Sequence, residues 1–230
     1  MIALRTAGSR GYADHGWLQS WHSFSFADYY DPAEMGWGAL RVINEDVVAP
    51  GEGFPMHGHR DMEIVTVILA GALEHRDSLG NGAVLRPGEV QRMSAGLGVR
   101  HSEFNPSPEV ATHLLQIWIR PARSGATPGY EQREISLAPG ATLLASPDGR
   151  DGSVAIGQDA TLQRVRLVAG EIFVPDLAPD RFGYAHLISG VLETGDFPLS
   201  TGDGLKAHDA PGLRLTAASA ADFLWFDLPA

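Results

Sequence analysis

Leu69-Ala70-Gly71-Ala72-Leu73-Glu74 and Ile188-Ser189-Gly190-Val191-Leu192-Glu193 are one pattern written twice, 119 residues apart. A second match, Leu85-Arg86-Pro87-Gly88-Glu89 with Leu199-Ser200-Thr201-Gly202-Asp203, follows at an offset of 114. The order is kept, and the difference between the two offsets falls in a hairpin, where a deletion disturbs least. Two matches in order point to a duplicated unit. That unit is built of strands. Ile64 to Leu69 is apolar and β-branched on both faces, as a fully buried strand requires. Ala72 to Arg76 continues towards Gly80-Asn81-Gly82, whose Asn-Gly pair signals a hairpin. Pro87-Gly88 marks another turn, and His113 to Ile119 reads as a further strand. No segment carries a helical period of useful length. The expected fold class is all-β, two barrels in tandem.

A chain of 230 residues is long enough for two small units that each bury a core. Residues 121–129 hold two prolines, two glycines, a serine and a threonine among few apolar residues, and read as a linker. The expected domains are therefore 1–125, with an aromatic N-terminal arm, and 126–230. The arm contains Trp17, Trp21, Phe24, Phe26, Tyr29, Tyr30 and Trp37. Its rings are expected to pack against a sheet, and some of them to line a pocket if the site takes a flat apolar ligand. His15 and His22, in the same arm, are expected to be structural or exposed.

Composition narrows the chemistry. With Lys+Arg 17 against Asp+Glu 28, the net charge is −11, which repels phosphate backbones and argues against direct nucleic-acid binding. No apolar run approaches the ~20 residues that span a bilayer, and the first residues lack the apolar core of a secretory signal, so a cytoplasmic protein is expected. There is no cysteine. Any transition metal must then be held by imidazole and carboxylate.

Such a donor set is present. In Pro55-Met56-His57-Gly58-His59 the two histidines are two apart, which on a strand puts both imidazoles on one face, ~6.6–6.8 Å apart along the backbone. His101-Ser102-Glu103 is a second pair of the same kind. Both pairs border glycine-rich turns, Gly51-Glu52-Gly53 and Gly96-Leu97-Gly98. On neighbouring strands of one barrel the pairs would converge on a single divalent ion with one or two positions left open. Glu63 shares the strand parity of His57 and His59, so without a bulge it faces the same interior. Spacing alone leaves Glu63 and Glu103 as alternatives for the carboxylate ligand.

The stretches His57-Gly58-His59-Arg60-Asp61-Met62-Glu63 and Met93-Ser94-Ala95-Gly96-Leu97-Gly98-Val99-Arg100-His101-Ser102-Glu103 resemble the two signature segments of the pirin family, in its bacterial, two-cupin branch. Gly16-Trp17-Leu18, Trp21-His22-Ser23-Phe24-Ser25-Phe26 and Tyr30-Asp31-Pro32 are similar to that family's N-terminal arm, and Asp227-Leu228-Pro229 to its C-terminal end. The resemblance implies two cupin (jelly-roll) barrels face to face, with metal only in the first. It implies the ligands His57, His59, His101 and Glu103, and leaves Glu63 as an interior residue behind them, although cupins at large draw their carboxylate from the position of Glu63. The repeat agrees about the second barrel. At offset 119, His57, His59 and Glu63 fall on Asp176, Ala178 and Phe182; at offset 114, His101 and Glu103 fall on Leu215 and Ala217. His186 and His208 remain there unpaired, and a structural role is expected for each.

For activity, the resemblance implies a quercetin 2,3-dioxygenase, which opens the central ring of a flavonol with O2 and releases carbon monoxide. Glu103 is then the expected general base for the flavonol 3-hydroxyl. Fe(II) is the first expectation for the metal, and zinc, nickel, manganese, cobalt and copper suit the same donors. Eukaryotic members of the family are described as iron-responsive transcriptional co-regulators. The alternative is therefore a metal-binding regulatory protein that meets protein partners and has no physiological turnover.

Overall fold

Alternation decides how these strands stack. The computed structural model describes all of residues 1–230, and apart from two three-residue 3-10 turns, Ala7–Ser9 and Arg150–Gly152, its regular elements are strands. Each half is a cupin sandwich of one seven-stranded and one four-stranded sheet. In the strand Glu63–Ala70, Val65 and Val67 join a 21-residue core cluster with Leu144, Leu162, Leu224 and Phe226 of the second half. Ile64 and Ile68 on its opposite face pack instead inside the first barrel. The two seven-stranded sheets thus face each other across one apolar core, and the run Ile64–Leu69, Thr66 apart, is apolar on both faces because both are covered.

The duplication is visible in register. Leu73 pairs with Leu85 across one hairpin and Leu192 with Leu199 across the other, and all four are fully buried. The glycine of each repeat sits in the same tight place. Gly71 (φ +77°) and Gly190 (φ +95°) are left-handed, and a Cβ there would lie 2.7 Å from Ala111 O and 2.2 Å from Ala220 O. Only glycine meets both demands.

Sheet membership crosses the expected division at 125/126 in two places. The strand Ile2–Arg5 pairs with Gly204–His208 in the second half's sheet, and Gly129–Glu134 pairs with Glu89–Ser94 in the first half's. The arm between them packs in two directions. Phe24 is buried against Tyr184, and Trp37 packs edge-on to Phe182 while its Nε1–H donates to Gly183 O at 2.9 Å. Trp17, Phe26 and Tyr29 line a cavity in the first barrel.

Glu45 ties arm to sheet. Arg10 Nη1 donates to its Oε2 at 2.7 Å and His113 Nε2 to its Oε1 at 2.9 Å. Burial would raise its pKa, but the His113 and Arg10 bonds outweigh burial and bring it down to about 2. A pKa lower in the folded than in the unfolded chain gives stability that is complete above the ordinary carboxylate range and fades as pH falls towards about 2. Glu45→Gln should therefore cost about 2–3 kcal/mol at pH 7, roughly 4–10 °C in melting temperature. Thermal melts at pH 7 and at pH 3 should show that gap narrowing with acid; a gap independent of pH would contradict the assignment.

Candidate metal centre

The four-stranded sheet of the first barrel places Gly53–His59 beside Val99–Phe104, antiparallel, with His101 directly opposite His57. The register then slips, and Glu103 pairs with Phe54 rather than Pro55. The bulge falls at Pro55, which has no N–H to give to a ladder. Its carbonyl is instead 2.8 Å from His57 Nδ1. One donor atom each from His57, His59 and His101 lie within 4.8 Å of one another. His59 is held edge-on against Trp118, ring centroids 4.9 Å apart.

Hydrogen-bond partners fix the tautomers. A carbonyl only accepts, so His57 Nδ1 carries a proton and Nε2 is the nitrogen available to an ion. His101 is set from behind by His75. Burial would raise the Asp77 pKa, but bonds from Asn81 and the Leu79 N–H hold it below its ordinary value, so Asp77 is an ionised acceptor. Its Oδ2 takes the proton of His75 Nε2 at 3.2 Å. Burial lowers the His75 pKa, which leaves its Nδ1 as an acceptor for Gln91 Nε2 at 3.0 Å, with His101 Nδ1 3.5 Å away. The tautomer of His101 that can bind an ion through Nε2 is the one with its proton on Nδ1, facing His75. His57 Nε2 and His101 Nε2 are 3.1 Å apart. At that separation the two nitrogens share a proton or, with a cation present, turn both lone pairs to it. Burial and then the neighbouring imidazoles lower the His101 pKa to about 2, and burial followed by His57 lowers that of His59 to about 4, so both are neutral donors at physiological pH.

Glu103 is buried next to this cluster, grouped with His101 and His75 rather than within the closest His57–His59–His101 set. Gln116 Nε2 donates to its Oε2 at 2.8 Å; Oε1 is buried with no partner. Gln116 is itself oriented by Trp118, whose Nε1–H donates to Oε1 of the amide at 3.2 Å. Burial pushes the Glu103 pKa up to about 7, with the Gln116 bond opposing it and Asp46 reinforcing it. Three imidazoles and one carboxyl group with an unsatisfied oxygen are a donor set that fits a divalent transition metal.

Glu63 does not share this interior, contrary to its strand parity. A turn at Asp61, whose φ is +48°, intervenes between His59 and Glu63 and carries the chain from one sheet to the other, so the phase is reset. Glu63 shares the face of Val65 and Val67, accepts from Ser94 Oγ at 2.6 Å, and would meet a Cβ on Gly157 at 3.1 Å from Oε1. It is a buried residue between the barrels and not one behind the ligands.

A cavity of about 720 Å³ opens onto His57, His59 and Glu103. Trp17, Phe26, Tyr29, Phe54 and Trp118 give it flat apolar walls, while Ser20, His22, Asn44, Asp46 and Gln116 give it polar ones. None of those polar residues was expected at the site, nor was His75. For His75 a signal was present: His75-Arg76-Asp77 is a third pair of ligand-type residues two apart, like the two that were noticed. In the second barrel, Leu205, Leu213, Leu215, Ala217 and Phe223 fill an apolar core. His186 is buried, and His208 stacks on Phe182 with Nδ1 near Arg181 O at 3.1 Å.

Known proteins place the chain. Residues 3–119 match the Pirin family model, and residues 143–228 match the quercetinase C-terminal cupin domain. The chain is 49% identical over 229 residues to quercetin 2,3-dioxygenase of Escherichia coli K12, covering 100% of this chain and 99% of that protein. It is 41% identical to a pirin-like protein of Caulobacter vibrioides, with 99% of each chain covered. Among solved structures, the bacterial pirin YhhW from Escherichia coli in complex with nickel(II) superimposes with a TM-score of 0.96 at 49% identity, over 100% of this chain and 99% of that one. With the repeat, the paired cupin sandwiches and the histidine cluster in the first of them, these matches establish that the chain belongs to the pirin family.

Proposed function

We propose that this protein is a metal-dependent dioxygenase that opens the central ring of a flavonol such as quercetin with O2. The observation that carries the reading is the pair of imidazole nitrogens, His57 Nε2 and His101 Nε2, facing each other at 3.1 Å beside the unpartnered Oε1 of Glu103, in a cavity with flat aromatic walls. His57, His59, His101 and Glu103 would hold the ion. Fe(II) is the preferred metal, and nickel, which the Escherichia coli pirin binds, suits the same donors. When bound, such an ion supplies Lewis acidity that favours the ionised form of an enolic hydroxyl.

The chain's own residues supply the rest. Glu103, with its pKa pushed up to about 7, would accept the proton of the flavonol 3-hydroxyl on Oε1 by swinging that oxygen off the ion or sharing its ligation, while Gln116 holds Oε2 in place. Trp118 braces both Gln116 and His59, so the base and one imidazole share a support. Trp17 and Phe54, edge-on at 5.2 Å, form an apolar wall of the cavity and keep water from the ionised substrate. The names of the relatives support the substrate class, and the acidic surface argues against direct nucleic-acid contact.

His101→Ala should lower metal affinity at least about 100-fold and abolish flavonol bleaching and carbon monoxide release, measured by metal analysis and aerobic absorption spectra. Normal turnover without metal would contradict the proposal, and metal binding with inert flavonol binding would favour the regulatory alternative. His75→Phe leaves all four ligands intact but frees the His101 tautomer. It should cost roughly 10- to 100-fold in metal affinity, whereas Glu63→Gln should change that affinity less than about 2-fold. Equal effects of the two substitutions in a metal titration would show that the tautomer argument is wrong.

A further inference from the structure

The cavity extends beyond the histidine cluster to a polar wall that the chemistry above does not use. It is made by two paired strands, Leu18–His22 and Leu40–Val48, whose register sets Ser20 opposite Asp46 and His22 opposite Asn44. All four side chains line the cavity, and all are buried. Their mutual bonds are specific. The Ser20 hydroxyl donates to Asp46 Oδ1, and His22 Nδ1–H donates to Asn44 Oδ1 at 2.8 Å. Three polar atoms are then left without a protein partner yet not sealed off: Asp46 Oδ2, His22 Nε2 and Asn44 Nδ2. Two are acceptors and one is a donor.

The wall is flanked by aromatic rings held in fixed positions. Phe26 lies 5.4 Å from the His22 ring, and Tyr29 stacks over it at 6.4 Å with planes 19° apart. Tyr29 is pinned by Arg5 Nη2, which donates to its hydroxyl at 2.9 Å, and by Gly11, where a Cβ would strike the ring at 2.2 Å. A cavity wall that offers two acceptors and a donor beside aromatic rings suits an aromatic ring that bears adjacent hydroxyls. Each hydroxyl hydrogen finds an acceptor, and a hydroxyl oxygen finds the amide.

We propose that Asp46, His22 and Asn44 form a second subsite that takes a dihydroxylated aromatic ring of the substrate, the ring that the histidine cluster does not hold. The inference rests on the flavonol reading and sharpens it, because it selects flavonols by the hydroxylation of their pendant ring. Burial makes Asp46 a stronger proton acceptor than a surface carboxylate, in keeping with that role. A site built to bond hydroxyls discriminates against an analogue that lacks them, because its own buried polar groups are then left unpaired.

Quercetin and galangin, flavonols that differ only in the two hydroxyls of the pendant ring, separate the possibilities. Binding to the nickel-loaded protein under anaerobic conditions is followed by quenching of tryptophan fluorescence. The wild type should bind quercetin roughly 10- to 100-fold more tightly than galangin. Asp46→Asn turns an acceptor into a donor and should reduce that preference to about 3-fold or less, by weakening quercetin binding more than galangin binding. His22→Gln serves as a second variant should Asp46→Asn fail to fold, and should act in the same direction. Equal affinity of the wild type for both flavonols, or equal loss of both in the folded variants, overturns the subsite and leaves the flavonol reading standing. Failure of the wild type to bind either one overturns both.

Discussion

Two imidazole nitrogens, His57 Nε2 and His101 Nε2, held 3.1 Å apart, are the constraint around which the first barrel is organised. His57 gives its Nδ1 proton to Pro55 O, and His101 Nδ1 faces His75, whose own ring is set by Asp77 and Gln91. The arrangement reaches back through three strands of the four-stranded sheet and across to Gln91 on the other sheet. A buried carboxyl group with one oxygen unpaired completes a donor set that a cation would satisfy. The bulge at Pro55 belongs to the same design, since it turns a carbonyl out of the ladder to meet His57.

The second barrel repeats the architecture without the chemistry. Its corresponding strands carry Leu215 and Ala217, and its interior is packed with aliphatic and aromatic side chains where the first barrel is open. What it contributes is support. It covers the outer face of the seven-stranded sheet whose inner face carries Asn44, Asp46 and Gln116, and it holds the strand Ile2–Arg5, from which Arg5 reaches Tyr29 in the cavity wall. Loss of ligands in one copy of a duplicated unit fits this division of labour, because packing demands only apolar residues of suitable volume.

Much of this was legible in the chain itself, for reasons that are local. Leu73 and Leu85, and their counterparts Leu192 and Leu199, are close in sequence and meet across single hairpins, so the repeat could be read without knowing the sheets. His57 and His59, and likewise His101 and Glu103, lie two apart on a strand, where spacing translates directly into a shared face. Glu63 was misplaced because parity does not survive the turn at Asp61. The polar wall was out of reach for a different reason. Ser20, Asp46 and Gln116 come from three strands far apart in sequence, and only their register brings them together. The crossing of Ile2–Arg5 into the second half's sheet was hidden likewise, since a four-residue strand carries no mark of its partner.

Anomalous X-ray scattering from a crystal grown with nickel or manganese would test the metal centre most directly. A single strong peak should appear within bonding distance of His57 Nε2, His101 Nε2, one nitrogen of His59 and Glu103 Oε1, with His75 uncoordinated and its Nε2 still on Asp77. A peak bound instead through His75, or none in the first barrel from protein saturated with the ion, would contradict the assignment of these four ligands.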